Sequence, residues 1–336
     1  MDNEQNAATQ IMQIITAKWI SEPLHVVTKL GIPDILNSGE KTIDQLAKTC
    51  EVQEQQLYRV MKTLASIGIF METAPRSFSQ TPMSECLQEN KLKPAALMFL
   101  SEWHNRAWEN LYYAVKTGKN AFEKAHEKPC FKWLAENSKE SHIFNQANAV
   151  KARTTHAVIL DVYDFSPFQS ICDIGGGYGG LLFSLLVAKN ELTGIVADLP
   201  HLSDHVNKQI LERQLTERCE YVSCDFFDHI PAGKDCYLLS NIFHDWNDER
   251  CCKILTKCFE AMDENAKMLI IESILPEGNE FSTARLLDLE VMVMGDGQER
   301  TESEFRKLIS GSGFSINSVI NTEESISILE CKKNQI

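Results

Sequence analysis

No uninterrupted apolar run in the 336 residues approaches the roughly 20 needed to cross a bilayer as a helix. The first ten residues, MDNEQNAATQ, are polar and acidic where a secretory signal would be basic and then apolar, so the expected compartment is the cytoplasm. Positive charge is also short: 33 Lys and Arg stand against 47 Asp and Glu, a formal charge of −14. That balance leaves no electrostatic footprint for nucleic acid or an anionic membrane. The eleven cysteines, scattered from Cys50 to Cys331, contain no CxxC pair and read as reduced thiols. Cys219 with Cys224, and the adjacent Cys251 and Cys252, lack His or Cys partners at zinc spacing, so core packing is expected and no metal. What is present is ordinary: 43% apolar and 24% charged residues describe a folded globular protein, excluding disordered, collagenous and coiled-coil chains. The length predicts two domains, or one large domain with an appendage.

Ile11, Ile14, Ile15 and Trp19 recur at helical spacing, and a second apolar set from Leu24 to Ile35 is broken only by Gly31 and Pro33. Thr42-Ile43-Asp44-Gln45 has the form of a capping box and opens a short helix. A longer helix follows, with Leu57, Val60, Leu64 and Ile67, and Gly68 ends it. Ile69-Phe70-Met71 and Phe78-Ser79-Gln80 read as two strands around a Pro-containing loop. Two helices and a ribbon make a winged helix. Such a unit often reads DNA, yet the Gln55–Ser66 helix carries only Arg59 and Lys62 and begins beside Glu51 and Glu54, so phosphate contacts would be few. A dimer interface built with the Ile11/Trp19 helix is the favoured use. Residues 91–165 are helical and rich in aromatics, and the boundaries expected are 1–98 for the winged-helix domain, 99–165 for a helical connector and 166–336 for the rest.

From residue 168 short β-branched runs alternate with helical segments, the mark of a parallel sheet with crossover helices. Strands are expected at 170–174, 193–198, 219–224, 235–241 and 266–272, then at 314–321 and 326–331. The last two are joined only by Thr322 to Ser325, which makes them antiparallel. The fold class expected is therefore α/β: a mostly parallel, Rossmann-like seven-stranded sheet with a reversed edge, plus the N-terminal helical domain. Asp173-Ile174-Gly175-Gly176-Gly177-Tyr178-Gly179-Gly180 follows the first strand and opens a helix, a turn that lets a ligand approach the backbone. Asp198 ends the next strand, where a carboxylate can take ribose hydroxyls. An adenosine-containing ligand follows, and nicotinamide and S-adenosylmethionine both fit. Asp173, just ahead of the glycines, suits an ammonium group and would repel a pyrophosphate. Gly175, Asp198, His244 and Glu272 all fall beyond carboxyl ends of strands, where open α/β sheets bind ligands.

Taken together, DIGGGYGG, ADLPH, CDFF, SNIFHDWNDE, IESILPE and GQERTESEF, in that order, resemble the S-adenosylmethionine-dependent small-molecule O-methyltransferases. That family includes the caffeate and hydroxyindole enzymes and bacterial natural-product enzymes. LGIPDIL and LYRVMKTLASIGIF resemble its winged-helix dimerisation domain, so the likeness spans essentially the whole chain. The resemblance implies S-adenosylmethionine as cofactor, S-adenosylhomocysteine as product, a hydroxylated small-molecule acceptor and a homodimer. It also implies His244 as catalytic base, flanked by Glu272 and Glu299. Gly175 and Gly177 match the glycines around the methionine part of the cofactor, Asp198 the ribose acid, Asp225 and Phe226 the adenine contacts, and Trp246 an aromatic beside the adenine. Ser240 stands where plant members carry Lys, and Asn148 where a Met often contacts the acceptor. By helical location and family position, Trp103, Phe144, Asn148 and Met292 are candidates for the acceptor's walls.

Methyl transfer to a hydroxyl is an in-line displacement, with the acceptor oxygen ~3 Å from the methyl carbon. A phenol near pKa 10 and an imidazole near 6.5 differ by about 3.5 units, so complete proton transfer costs roughly 5 kcal/mol. A carboxylate bonded to the imidazole would narrow that gap and fix which nitrogen faces the acceptor. Plainer readings of the same residues remain: His244 as a helix-entry residue, Glu272 as a solvated charge, and Glu299 as half of a surface ion pair with Arg300. Methylation of nitrogen or carbon, non-methylating chemistry on the same fold, and a ligand-sensing transcriptional regulator are the alternatives at the level of function.

Overall fold

Seven strands form the main sheet. The computed structural model describes residues 2–322 and 326–334, within which the chain divides into two compact units. One comprises Met1–Asn105 with Lys139–Val150, the other Arg106–Ser138 with Lys151–Ile336. The 99–165 stretch is thus shared between the units and is not a connector of its own. Its last helix, Ser138–Val162, has 25 residues, which at ~1.5 Å per residue outruns either unit's claim on it.

In the first unit, strand β1 (Lys41–Thr42) leads into the helix Ile43–Cys50, then Glu54–Ser66, then β2 (Met71–Ala74) and β3 (Ser77–Ser79). The three strands pair antiparallel in the order β1-β3-β2, so the ribbon has a third strand that the sequence pattern did not suggest. The Thr42 N–H donates to Gln45 Oε1 at 3.0 Å, as a capping box requires. The buried stripe of the second helix is Leu57, Met61 and Leu64. Val60 is half-buried against the same core, and Ile67, just past the helix, is exposed. Gly68, at φ 83°, donates to Ala65 O and Ile69 donates to Leu64 O, both at 3.0 Å. This left-handed stop uses Ile69 and Phe70 as core residues instead of strand. Val27, Ile43, Leu46, Met61, Leu64 and Phe78 are wholly buried around them.

In the second unit β4 (Ser170–Ile174), β5 (Thr193–Asp198), β6 (Cys219–Ser223), β7 (Cys236–Ser240) and β8 (Lys267–Glu272) run parallel. Two short strands, β9 (Ile274–Leu275) and β10 (Arg300–Thr301), pair with each other, and β11 (Phe314–Asn321) and β12 (Ser327–Lys333) close the edge antiparallel. The order is β11-β12-β8-β7-β4-β5-β6. Both faces are covered, which is why β7 and β8 read as continuous apolar runs. Ile171 and Leu238 point into one core, Cys172 and Tyr237 into the other. From β4 the chain builds outward to β6, then returns to place β7 on the opposite side, and ligands bind at such a reversal of strand order.

All eleven cysteines are free thiols. Cys219, Cys224 and Cys251 are buried as expected, but Cys252 is exposed, since the next position on a helix turns to a different face. Among the described residues no helix is long and apolar enough to cross a membrane.

Candidate active site

Beyond β4 the backbone turns through three left-handed glycines, Gly175, Gly177 and Gly179, before the helix Gly180–Ala188 begins. Each does something different. A Cβ on Gly175 would overlap Ile242 Cδ1, and Phe226 Cε1 lies 3.4 Å from the same point. A Cβ on Gly177 would meet nothing within 4 Å. A Cβ on Gly176 would sit 2.7 Å from Asp173 Oδ2. The turn therefore packs against the β7 loop on one side and is open on the other. At the end of β5, Asp198 accepts from the N–H of Gly177 at 2.8 Å and of Leu199 at 2.6 Å. Burial, and then the Asp198 charge, push the Asp173 carboxyl up to about 7. His156, whose Cε1 would be 2.9 Å from a Cβ on Gly180, is driven by burial down to about 4, so a neutral imidazole backs this turn. Nothing in its sequence context marked it.

An aromatic cluster flanks the turn. Phe226, Phe227 and Trp246 meet edge to face with ring centres 4.9–6.2 Å apart. Phe131 stacks on Trp246 at 5.9 Å, and the Arg250 guanidinium lies 4.8 Å from the indole centre. Asp225 accepts from the Phe227 N–H at 2.9 Å and so shapes the loop that holds both phenylalanines. Phe131 and Arg250 are neighbours that only tertiary packing supplies.

After Ser240, whose Oγ lies 3.4 Å from Asn241 Nδ2, Asn241 takes a left-handed conformation, φ 54°. The turn points the next two N–H groups, of Ile242 and Phe243, at Glu272 Oε1, 2.8 and 2.7 Å away. His244 then stands with Nδ1 2.8 Å from Glu299 Oε1 and 4.0 Å from Glu272 Oε2, while Asp245 Oδ1 is 3.6 Å from Nε2. Both glutamates are buried, so neither is a solvated charge or part of a surface ion pair. Among the described residues neither Glu272 Oε2 nor Glu299 Oε2 has a hydrogen-bond partner. Burial alone would depress the imidazole, but Asp245, Glu272 and Glu299 together outweigh it and push His244 up to about 9. Burial raises Glu272. The donor atoms of His244, Glu272 and Glu299 lie within 4.8 Å of one another, and within that cluster Nδ1 and Glu299 Oε1 are hydrogen-bonded.

The arrangement depends on two residues that the sequence did not single out. A Cβ on Gly297 would overlap the His244 carbonyl oxygen, so the segment bearing Glu299 lies backbone against backbone on the histidine. Arg300 is buried and donates to Phe243 O at 3.0 Å, Trp246 O at 2.8 Å and Asp248 Oδ1 at 2.8 Å. It pairs with Asp248, not Glu299. Of the four acceptor-wall candidates, Trp103 is buried, Phe144 half-buried and Asn148 exposed in the first unit, while Met292 is half-buried in the second.

Residues 108–315 match the model of the O-methyltransferase domain and residues 12–90 that of the O-methyltransferase dimerisation domain. The phenazine O-methyltransferase of Lysobacter antibioticus is 39% identical over 325 residues, covering 96% of this chain and 95% of its own. The mitomycin biosynthesis 6-O-methyltransferase of Streptomyces lavendulae is 32% identical over 314 residues, 92% of this chain and 90% of its own. Among solved structures, that of mitomycin 7-O-methyltransferase superposes with a TM-score of 0.93 at 30% identity, covering 99% of both chains. The chain belongs to the S-adenosylmethionine-dependent O-methyltransferase family. It is an enzyme of the natural-product branch, and the regulator alternative falls away.

Proposed function

We propose that the enzyme methylates a phenolic hydroxyl of a small natural-product-like acceptor, with His244 as general base. The observation that carries this reading is the buried 2.8 Å hydrogen bond from His244 to Glu299 at the carboxyl rim of the sheet. The cradle suits the cofactor: its open side lies over Gly177, and acids at Asp173 and Asp198 suit an ammonium group and ribose hydroxyls. When bound, S-adenosylmethionine supplies an electrophilic methyl on a cationic sulfur. In this assignment Gly175 and Gly177 admit the methionine portion, and Asp225, Phe226 and Trp246 flank the adenine. Ser240, a neutral hydroxyl in place of Lys, adds no charge there. Met292, in the unit that carries His244, contributes to the acceptor's wall.

His244 takes the hydroxyl proton on Nε2 while Glu299 holds Nδ1, which fixes the tautomer. With the imidazole pushed up to about 9, the gap to a phenol near 10 shrinks to about 1 unit, or ~1.4 kcal/mol. This is what the buried acids accomplish. The apolar side chains Ile11, Ile14 and Ile15 of the helix Asp2–Ile15 and Trp19 of the next helix, Lys18–Lys29, are exposed in the single chain and pair with a second copy in the homodimer. An amine acceptor is a second reading, favoured by 28% identity over 336 residues to the 8-amino-8-demethylriboflavin N,N-dimethyltransferase of Streptomyces davaonensis.

The test incubates the enzyme with S-adenosylmethionine bearing a deuterated methyl and a panel of phenols, catechols, hydroxyquinones, hydroxyphenazines and aromatic amines, read by mass. Transfer to oxygen supports the proposal; transfer confined to nitrogen replaces it with the second reading.

A further inference from the structure

The loop carrying His244 is held from both sides. Its N–H groups at Ile242 and Phe243 end on Glu272. Its carbonyls at Phe243 and Trp246, one on each side of His244, accept from Arg300, whose guanidinium is out of solvent. Gly297 lies against the His244 carbonyl with no room for a side chain. Gly297 and Arg300 bracket Glu299, so the segment that delivers the acid to Nδ1 is the one that grips the histidine's backbone.

We infer that Arg300 is a positioning residue for the transfer step: by fixing the Phe243 and Trp246 carbonyls it sets the direction of the His244 imidazole, and Gly297 permits the close approach that this grip needs. The inference rests on the reading of His244 as base. A guanidinium suits the task because its fork reaches two carbonyls and a carboxylate at once, which a lysine's point charge cannot. Asp248 also accepts from Arg300 and balances its buried charge from a largely exposed position, which sets no direction for the His244 loop. The carbonyl contacts are the ones that count. Misplacing a catalytic group by about 1 Å costs on the order of 100-fold in rate.

The experiment compares full-length R300M, R300K, G297A and D248A with the wild type by three measurements. Calorimetry gives S-adenosylmethionine affinity, the rate at saturating cofactor gives kcat on an acceptor found in the screen above, and ¹³C-histidine NMR follows the His244 imidazole, assigned with H244Q. The expected result is a fall in kcat of roughly 10- to 100-fold in R300M and G297A, cofactor affinity within about threefold of wild type, and a His244 titration displaced downward as its alignment with Glu299 is lost. R300K falls between, and D248A, which removes the carboxylate but leaves both carbonyl contacts, loses less than R300M. A folded R300M whose kcat and His244 titration match the wild type overturns the inference. So does a loss of kcat that only follows the loss of cofactor affinity. If R300M does not fold, R300K and G297A decide on the same criteria. Should H244Q retain full turnover, the base reading fails, while the NMR comparison still tests Arg300's hold on the imidazole.

Discussion

His244 Nδ1 and Glu299 Oε1 share a 2.8 Å hydrogen bond out of contact with solvent, while Glu272 approaches the same nitrogen no closer than 4.0 Å and gives its other oxygen to two backbone N–H groups. The two acids are therefore not equivalent. Glu299 holds Nδ1 by a hydrogen bond, Glu272 ties down the loop, and the charges that raise the imidazole are those of Asp245 first, then Glu272 and Glu299. Glu299→Gln keeps an acceptor for Nδ1–H but removes the charge, so kcat is expected to fall about 100-fold, and the His244 titration to move downward. Glu272→Gln should lower thermal stability as well, because an amide accepts those two N–H groups less strongly than a carboxylate. Thermal unfolding of both variants beside their pH–rate profiles checks this division.

The pH dependence has a definite sign. His244, pushed up to about 9, is protonated in the resting enzyme at neutral pH, so turnover of an unionised phenol should climb as pH rises toward 9. Because the folded value lies above the unfolded one near 6.5, the stabilisation His244 provides is fully present below pH ~6.5 and is lost as pH rises through about 9. The melting temperature of wild type relative to H244Q should shrink across that window. A constant difference would mean the imidazole is not held up by its acids.

Asp173 also costs stability as pH rises, over a lower window. Buried, and pushed up to about 7, it burdens the protein without ligand increasingly as pH rises from ~3.8 toward 7. Asp173→Asn should raise the melting temperature at pH 8 and weaken S-adenosylmethionine binding, measured together by unfolding with and without cofactor.

Gly175 and Gly177 share a left-handed backbone but not their surroundings. Gly175→Ala adds a collision with Ile242 to a backbone strain of ~1–2 kcal/mol. Gly177→Ala carries the strain alone. The first should lower both stability and kcat, since Ile242 leads into His244; the second should chiefly lower cofactor affinity. Unfolding and calorimetry distinguish them.

Ile15 and Trp19, 68% and 74% exposed, are the large apolar side chains on which the dimer proposal turns. Ile15→Asp or Trp19→Asp should sediment as a monomer, and an unchanged sedimentation coefficient would refute this interface.

Most of the architecture was legible because it rests on local chemistry. All seven sheet strands fall within two residues of their expected ends, since β-branched runs bounded by turns mark buried parallel strands. The capping box at Thr42 is equally local. The strand at Ile69 was misread because a left-handed Gly68 turns Ile69 and Phe70 into the core. Gly297 and Arg300 were invisible for a different reason: their roles come from a segment some fifty residues away in sequence packing on the His244 loop. The same distance turned an apparent Glu299–Arg300 pair into two buried side chains with separate partners. His244, Glu272 and Glu299 could be named because the family pattern carries them, but which acid bonds the imidazole is a matter of geometry.

The most direct measurement is S-adenosylmethionine affinity and single-turnover methyl transfer in His244→Ala, determined on the same preparation. The account predicts affinity close to wild type, because the cradle at Gly177 and Asp198 does not use the imidazole, with transfer to a phenol reduced by about 100-fold or more. Transfer at the wild-type rate in a variant that still binds the cofactor would contradict it.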